Sequence, residues 1–221
     1  MEHELITLPD APSLAARAAV LVAGRARSAV ADHGRFTFAV SGGSTPWAMF
    51  AELAHQDVPW AAVTLFQVDE RVAPEGDPDR NLTHLRHSLG SAPAQVVAMP
   101  VNEADLAAAA AHYAEKLPDR FDLIHLGLGP DGHTASLVPG DPVLQVTDRL
   151  VAVTEPYQGH RRMTLTYPAL ARADELLWLI SGPDKRGPLK QLLAGDQSIP
   201  GGRVEAGHST VLADAAASGQ Q

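Results

Sequence analysis

Two hydrophobic periods alternate along the chain. Residues 12–32 repeat alanine and leucine with Arg17, Arg25 and Arg27 at helical spacing, and Gly34 follows as a stop signal, which predicts an amphipathic helix. Phe36 to Val40 is a short β-rich run. Ser41-Gly42-Gly43-Ser44-Thr45-Pro46 leads from it into a helical stretch that reaches about His55. Val63 to Val68 predicts a second strand, ending in Asp69-Glu70-Arg71. Helical patterns cover 82–90 and 103–117, the second with Asn102 as its candidate cap. Phe121 to Leu128 predicts a third strand that runs into a glycine-rich turn. Leu150 to Thr154 and Leu176 to Ile180 predict two more, 184–193 a helix, and Val211-Leu212 a last short strand. The tail, 215–221, has little to bury and reads as loose.

Several of these strands are apolar throughout rather than at alternate positions. Such strands, interleaved with helices, argue for an α/β sandwich: a parallel sheet covered on both faces. No internal repeat and no long linker divides the chain, so a single domain over 1–221 is expected. In such a sheet the ligand crevice lies outside the carboxyl ends of the strands. The three most polar clusters of this sequence each follow a predicted strand directly, and are expected to converge there.

Charge and composition then narrow the function. Lys and Arg total 17 against 26 Asp and Glu, a formal charge of −9. A chain this acidic is a poor general binder of nucleic acid or an anionic membrane, and an anionic ligand would need a few placed cations. There is no cysteine, which removes disulfides, thiolate metal sites and cysteine nucleophiles. No apolar run reaches about 18 residues, so no transmembrane helix is expected. Glu2, Glu4 and Asp10 give an N-terminus unlike a signal peptide, and a cytoplasmic location is the expectation.

In the first cluster, Gly42 and Gly43 allow close backbone approach, Ser44 and Thr45 offer hydroxyls and a cap, and Pro46 suits a first helical position. It is either a phosphate site at a helix N-terminus or a tight strand-to-helix turn; no Walker-type Gly-Lys-Ser/Thr follows. Asp69-Glu70-Arg71 is either a solvated, salt-bridged corner or part of the crevice. The third cluster, Gly127 to Ser136, contains a literal G-x-G-x-x-G, but Pro139-Gly140-Asp141-Pro142 breaks the chain where a dinucleotide-binding helix would have to run. The alternative is that this turn presents Asp131 and His133, a general base beside the carboxylate that would hold it. His125, inside the preceding strand, reads as a core or crevice-wall histidine. Arg161-Arg162 and Lys185-Arg186 are either surface charges or the cations an anionic substrate requires.

Taken together these residues resemble the 6-phosphogluconolactonase family, within the superfamily that also holds glucosamine-6-phosphate deaminases. The block Gly129-Pro130-Asp131-Gly132-His133-Thr134-Ala135-Ser136-Leu137 is the most specific match. Asp69-Glu70-Arg71, Asn81, Arg162 before Met-Thr-Leu-Thr, and Ser-Gly-x-x-Lys ending in Lys185 follow in the family's order. The resemblance implies a modified Rossmann-like three-layer sandwich with a mostly parallel sheet and no dinucleotide site. It implies hydrolysis of 6-phospho-D-glucono-1,5-lactone to 6-phosphogluconate, the second step of the oxidative pentose phosphate pathway, with no metal and no organic cofactor. By the family pattern Gly42, Gly43, Ser44, Thr45, Asp69, Arg162 and Lys185 surround the substrate, His133 activates water, Asp131 orients it, and Arg71 stabilises charge near the lactone carbonyl. Arg80, where the family often carries Ser, stands as an alternative substrate-side cation. Val138 occupies the position five after His133 where the deaminase branch carries an acid. A non-catalytic sugar-phosphate sensor is the reading from another class, and the chain has no basic segment for the DNA-binding part of such a regulator. The expected partner is a small phosphorylated sugar lactone, met by a monomer without nucleic acid or membrane.

Overall fold

The computed structural model describes residues 2–219. Seven strands form one sheet in the order β1 (Glu4–Leu8), β10 (His208–Asp214), β9 (Glu175–Ile180), β6 (Leu123–Leu126), β2 (Phe36–Val40), β3 (Val63–Gln67) and β5 (Gln95–Val97). Every pair in it is parallel. Three further strands, β4 (Asp69–Arg71), β8 (Arg162–Leu165) and β7 (Val151–Val153), make a small antiparallel sheet. The helices are α1 (Ala11–His33), α2 (Ser44–Leu53), α3 (Asn81–Leu89), α4 (Leu106–Ala114), α5 (Tyr167–Leu170), α6 (Arg186–Leu193) and α7 (Ala215–Ser218). This is the α/β three-layer sandwich expected from the sequence, with its antiparallel pairing confined to the small sheet.

The pleat explains the layers. Along β2, Phe36, Phe38 and Val40 enter the core under α1 and α2, while Ala39 enters the opposite core. Along β9, Leu177 and Leu179 join the first core, and Leu176, Trp178 and Ile180 the second. A strand buried on both faces is apolar at nearly every position, which is why these runs show no alternation; the exceptions Thr37 and Glu175 pair with Asp122 and Arg25. On α1 the buried stripe is Leu14, Ala15, Ala18, Ala19, Val22, Ala23 and Ala26, small enough to lie close on the sheet and on α2. Asp10 caps this helix by accepting from Ser13 N at 2.8 Å, and Gly34, at φ 83°, ends it.

Several boundaries differ from the sequence reading. Asn102 does not cap α4: its side chain donates to Ala73 O and accepts from Arg80, and Asp105 caps instead by accepting from the amides of Ala107 and Ala108. Pro46 is the third residue of α2, behind Ser44 and Thr45. Residues 183–185 form a separate 3-10 turn before α6. Strands β1, β5 and β8 and helix α5 were not anticipated as such; β1 and β5 are the sheet's edges and carry the weakest apolar signal. Residues 215–218 are not loose: Asp214 accepts from Ala217 N at 2.7 Å and Ala217 is buried. Gln220 and Gln221, the end of the expected loose tail, lie outside the described residues.

Val68 passes the chain from one sheet to the other, its amide donating to Val40 O and its carbonyl accepting from Leu165 N. Beyond it the pleat sends Asp69 and Arg71 to one face and Glu70 to the other. Glu70 is fully buried. It accepts from Gln67 Nε2 (2.9 Å), Arg71 N (2.8 Å), Asn81 N (2.7 Å) and Leu82 N (2.9 Å), so it serves the first amides of α3 in place of a local cap. Arg80 Nε lies 3.0 Å from the same carboxylate, an ion pair whose N–H is not aimed along the contact. Removing one partner of a buried pair strands the other charge. Glu70→Ala is therefore expected to cost about 3–5 kcal/mol of stability. Urea denaturation followed by circular dichroism measures this, and an unchanged midpoint would show that the network carries no net stability.

Candidate active site

The sheet order places β6 and β3 on opposite sides of β2, so the chain changes direction at β2, and a crevice opens there at the carboxyl ends of the strands. A cleft of about 290 Å³ occupies it. Ser41 to Pro46 after β2, Asp69 and Arg71 of β4, Asn81 of α3, Gly127 to Pro130 and His133 to Ala135 after β6, Arg162 of β8, and Ser181 and Lys185 after β9 line its wall. The three polar clusters and both cations converge, as the strand ends suggested.

His133 lies on the cleft and Asp131 behind it. Asp131 Oδ1 accepts from His133 N at 3.1 Å and sits 2.5 Å from His133 Nδ1. With the proton of a neutral imidazole on Nδ1, the Nε2 lone pair is left for a ligand. Partial burial works to raise the Asp131 carboxyl, but the amide and imidazole of His133 outweigh it and hold the group below the ordinary carboxylate range. Gly129 lets the ring approach: a Cβ there would collide with His133 Nδ1 and Cε1 and come within 2.8 Å of Asp131 Oδ1. The turn is closed by Gly129 N donating to His133 O at 2.8 Å.

Arg71 and Arg162 stand directly opposite each other across β4 and β8. Two like charges in register repel. Arg71 donates to Asp79 O (2.8 Å) and Asn81 Oδ1 (3.0 Å), and Asn81 in turn donates to Asp69 O at 3.0 Å. Burial pushes the Arg162 guanidinium down and the neighbouring Arg71 adds to this, while Asp69 works against both. Each of the two arginines buries an Nε–H with no acceptor in the protein. Asp69 is itself occupied, accepting from Ser136 Oγ at 2.6 Å and from Asn81 Nδ2 at 3.3 Å.

Gly43 caps α2 with no side-chain bond, so Ser44 and Thr45 offer backbone amides that have no acceptor within the helix. At Gly42 a Cβ would overlap the Asn81 amide. Lys185 lines the cleft and pairs with Asp184 at 2.9 Å. Arg80 does not reach the cleft. It is buried against Glu70, Ala73 O and Asn102 Oδ1, which leaves Arg71 as the cation on the β4 side. His125 is fully buried, with Nδ1 accepting from Ser41 N at 3.2 Å, and burial pushes its pKa down to about 3. Of the two sequence readings, core or crevice wall, the structure gives the core, with the buried Nε2 left without a protein partner. Among the described residues no group of three or more His, Cys, Asp or Glu is arranged to hold a metal ion, and no helix is long and apolar enough to cross a membrane.

The model of the family described as glucosamine-6-phosphate isomerases/6-phosphogluconolactonase matches residues 9–213. A 6-phosphogluconolactonase of Nostoc sp. is 36% identical over 208 residues, 88% of this chain and 86% of that protein. The crystal structure of a 6-phosphogluconolactonase from Shewanella baltica superposes with a TM-score of 0.88 at 25% identity, covering 96% of this chain and 98% of that one. A monomeric glucosamine-6-phosphate deaminase superposes nearly as well, with a TM-score of 0.86 at 17% identity over 99% of this chain and 100% of that one, a likeness of fold alone. The chain belongs to the glucosamine-6-phosphate isomerase/6-phosphogluconolactonase family.

Sequence reasoning passed over Ser136, which anchors Asp69, and Tyr157, whose hydroxyl lies 3.4 Å from Asp131 Oδ2. The only sequence signal for Tyr157 is an aromatic residue beside a Gln-Gly turn. Gly129→Ala is expected to drive the His133 ring off Asp131 and to cost about 1–3 kcal/mol by overpacking. Imidazole resonances in nitrogen–proton correlation spectra would report the lost contact, and an unshifted His133 signal would contradict the packing described.

Proposed function

We propose that the protein hydrolyses 6-phospho-D-glucono-1,5-lactone to 6-phosphogluconate, as a carboxylic ester hydrolase of the oxidative pentose phosphate pathway. The observation that carries this is one cleft whose wall brings together a His133–Asp131 pair and three cations, Arg71, Arg162 and Lys185. His133 Nε2 takes a proton from water as its oxygen attacks the lactone carbonyl carbon. The carbonyl oxygen becomes an oxyanion, beside which Arg71 supplies positive charge. Collapse of that intermediate breaks the bond between the carbonyl carbon and the ring oxygen. The imidazolium returns its proton to the departing ring oxygen, and an open-chain carboxylic acid results. Asp131 holds Nδ1–H and stabilises the transient imidazolium. The amides of Ser44 and Thr45, Arg162 and Lys185 take the phosphate, with Gly43 at the turn into α2 and Gly42 admitting the Asn81 amide beside it. Asp69 keeps Asn81, and through it Arg71, in place.

The fold is shared with a deaminase, so the choice between the two activities rests on the site. Sugar-ring opening and proton transfer between carbons need an additional acid, and at the relevant position this chain carries a buried valine, Val138. Ester hydrolysis needs only activated water and oxyanion stabilisation. Acid release from the lactone, measured against ammonia release from glucosamine 6-phosphate, separates the readings.

His133→Ala is expected to lower kcat by about 10²–10⁴ with little change in KM, after subtraction of spontaneous lactone opening. Near wild-type kcat would remove His133 from the base role. Arg162→Ala and Lys185→Ala are each expected to cost about tenfold or more in kcat/KM on the phosphorylated lactone, from the loss of a charge-assisted bond. Their effect on unphosphorylated gluconolactone should be small, and equal losses on the two substrates would show that these residues do not read the phosphate. Dialysis against EDTA should leave the rate unchanged.

A further inference from the structure

The segment joining β7 to β8 folds back as a tight hairpin at the mouth of the cleft. Tyr157 N donates to His160 O at 2.9 Å and His160 N to Tyr157 O at 3.3 Å, closing a two-residue turn. Its central residues, Gln158 and Gly159, sit at φ 50° and 85°, the left-handed geometry that matches the twist of a hairpin. Glycine adopts it freely; glutamine does so at a cost, and strained backbone of this kind gathers at functional sites.

Two side chains at this tip reach the site. The Tyr157 hydroxyl donates to Asp131 Oδ2 at 3.4 Å, on the carboxylate oxygen that His133 does not use, and accepts from Gln158 Nε2 at 3.4 Å. The Tyr157 ring meets His133 edge-on, with centroids 5.7 Å apart and planes at 68°. Its face lies under the Arg162 guanidinium, 5.0 Å from ring centre to Cζ. Gln158 Oε1 accepts from Arg162 Nη2 at 3.3 Å. Tyr157 belongs to neither apolar core, so packing of the fold does not account for it.

We propose that Tyr157 is a positioning residue for the reaction, one ring that sets the orientation of the Asp131–His133 pair and of the Arg162 guanidinium together. The hydroxyl fixes Asp131 from the side opposite His133, and a fixed carboxylate fixes the imidazole. The ring face holds Arg162 by a cation–π contact beside a repelling Arg71. The catalytic pair and an anion-binding group are thereby held at a set separation, which suits a substrate whose reacting carbonyl and phosphate are distant.

This inference rests on the lactonase reading, and its test divides the two functions of the ring. Tyr157→Phe removes the hydroxyl and keeps the face over Arg162. It is expected to lower kcat about threefold to tenfold on the phosphorylated lactone, with KM unchanged. Tyr157→Ala removes both, and should lower kcat at least as far and also raise KM about threefold to tenfold. Both variants should melt within a few degrees of wild type, because no core contact is lost. Wild-type kcat and KM in Tyr157→Ala, with lactonase activity present in the wild type, would overturn the inference alone. Equal rises in KM in both variants with kcat intact would make Tyr157 a binding contact and overturn it too. Absence of lactone hydrolysis by the wild type would remove the proposed function and this inference with it.

Discussion

A single buried carboxylate holds the cleft's β4 wall together. Glu70 has no exposure to solvent, and its two oxygens are shared among the side chain of Gln67, three backbone amides and the Arg80 guanidinium. A buried charge is tolerable only when paired and fully hydrogen-bonded. Meeting that requirement forces the start of α3 against β4, and so brings Asn81 to Asp69 and Arg71. Shifting Glu70 would move the groups on the opposite face of its own strand.

The charged groups follow from the same economy of space. A chain with a formal charge of −9 repels anions at long range, so attraction has to be local and dry. Pairing Arg71 with Arg162 across two short strands concentrates positive charge at the cleft, at the expense of mutual repulsion that Asp69 and the Tyr157 ring only partly offset.

Fold and chemistry are separable in this molecule. The sandwich is shared with lactonases and with a deaminase at nearly equal TM-scores. What such a fold does is set by side chains on the loops at the strand ends. A parallel sheet with a reversal at β2 guarantees a crevice; what the crevice does is decided by the loops that fill it.

The layers of the fold were legible in the chain because their causes are local and periodic. Apolar runs such as Phe36–Val40, interrupted only by Thr37, and Leu176–Ile180 reveal burial on both faces, and the alanine stripe of α1 with its Gly34 stop reveals a packed helix. Polar clusters directly after strands revealed which loops meet, since strand polarity in a parallel sheet puts those loops at one end. Edge strands β1 and β5, with no fully buried position in either, left little signal. Asp69, Glu70 and Arg71 could not be sorted from sequence, because three consecutive charges look alike until Val68 crosses between sheets and sets which of them face the cleft. Arg80 was ambiguous for the same reason, and only its burial beside Glu70 withdraws it from the cleft. The hold of Tyr157 on Asp131 spans 26 positions and depends on a left-handed hairpin. Periodicity reports which residues are buried; which of the polar residues touch is decided by long-range geometry that no local pattern encodes.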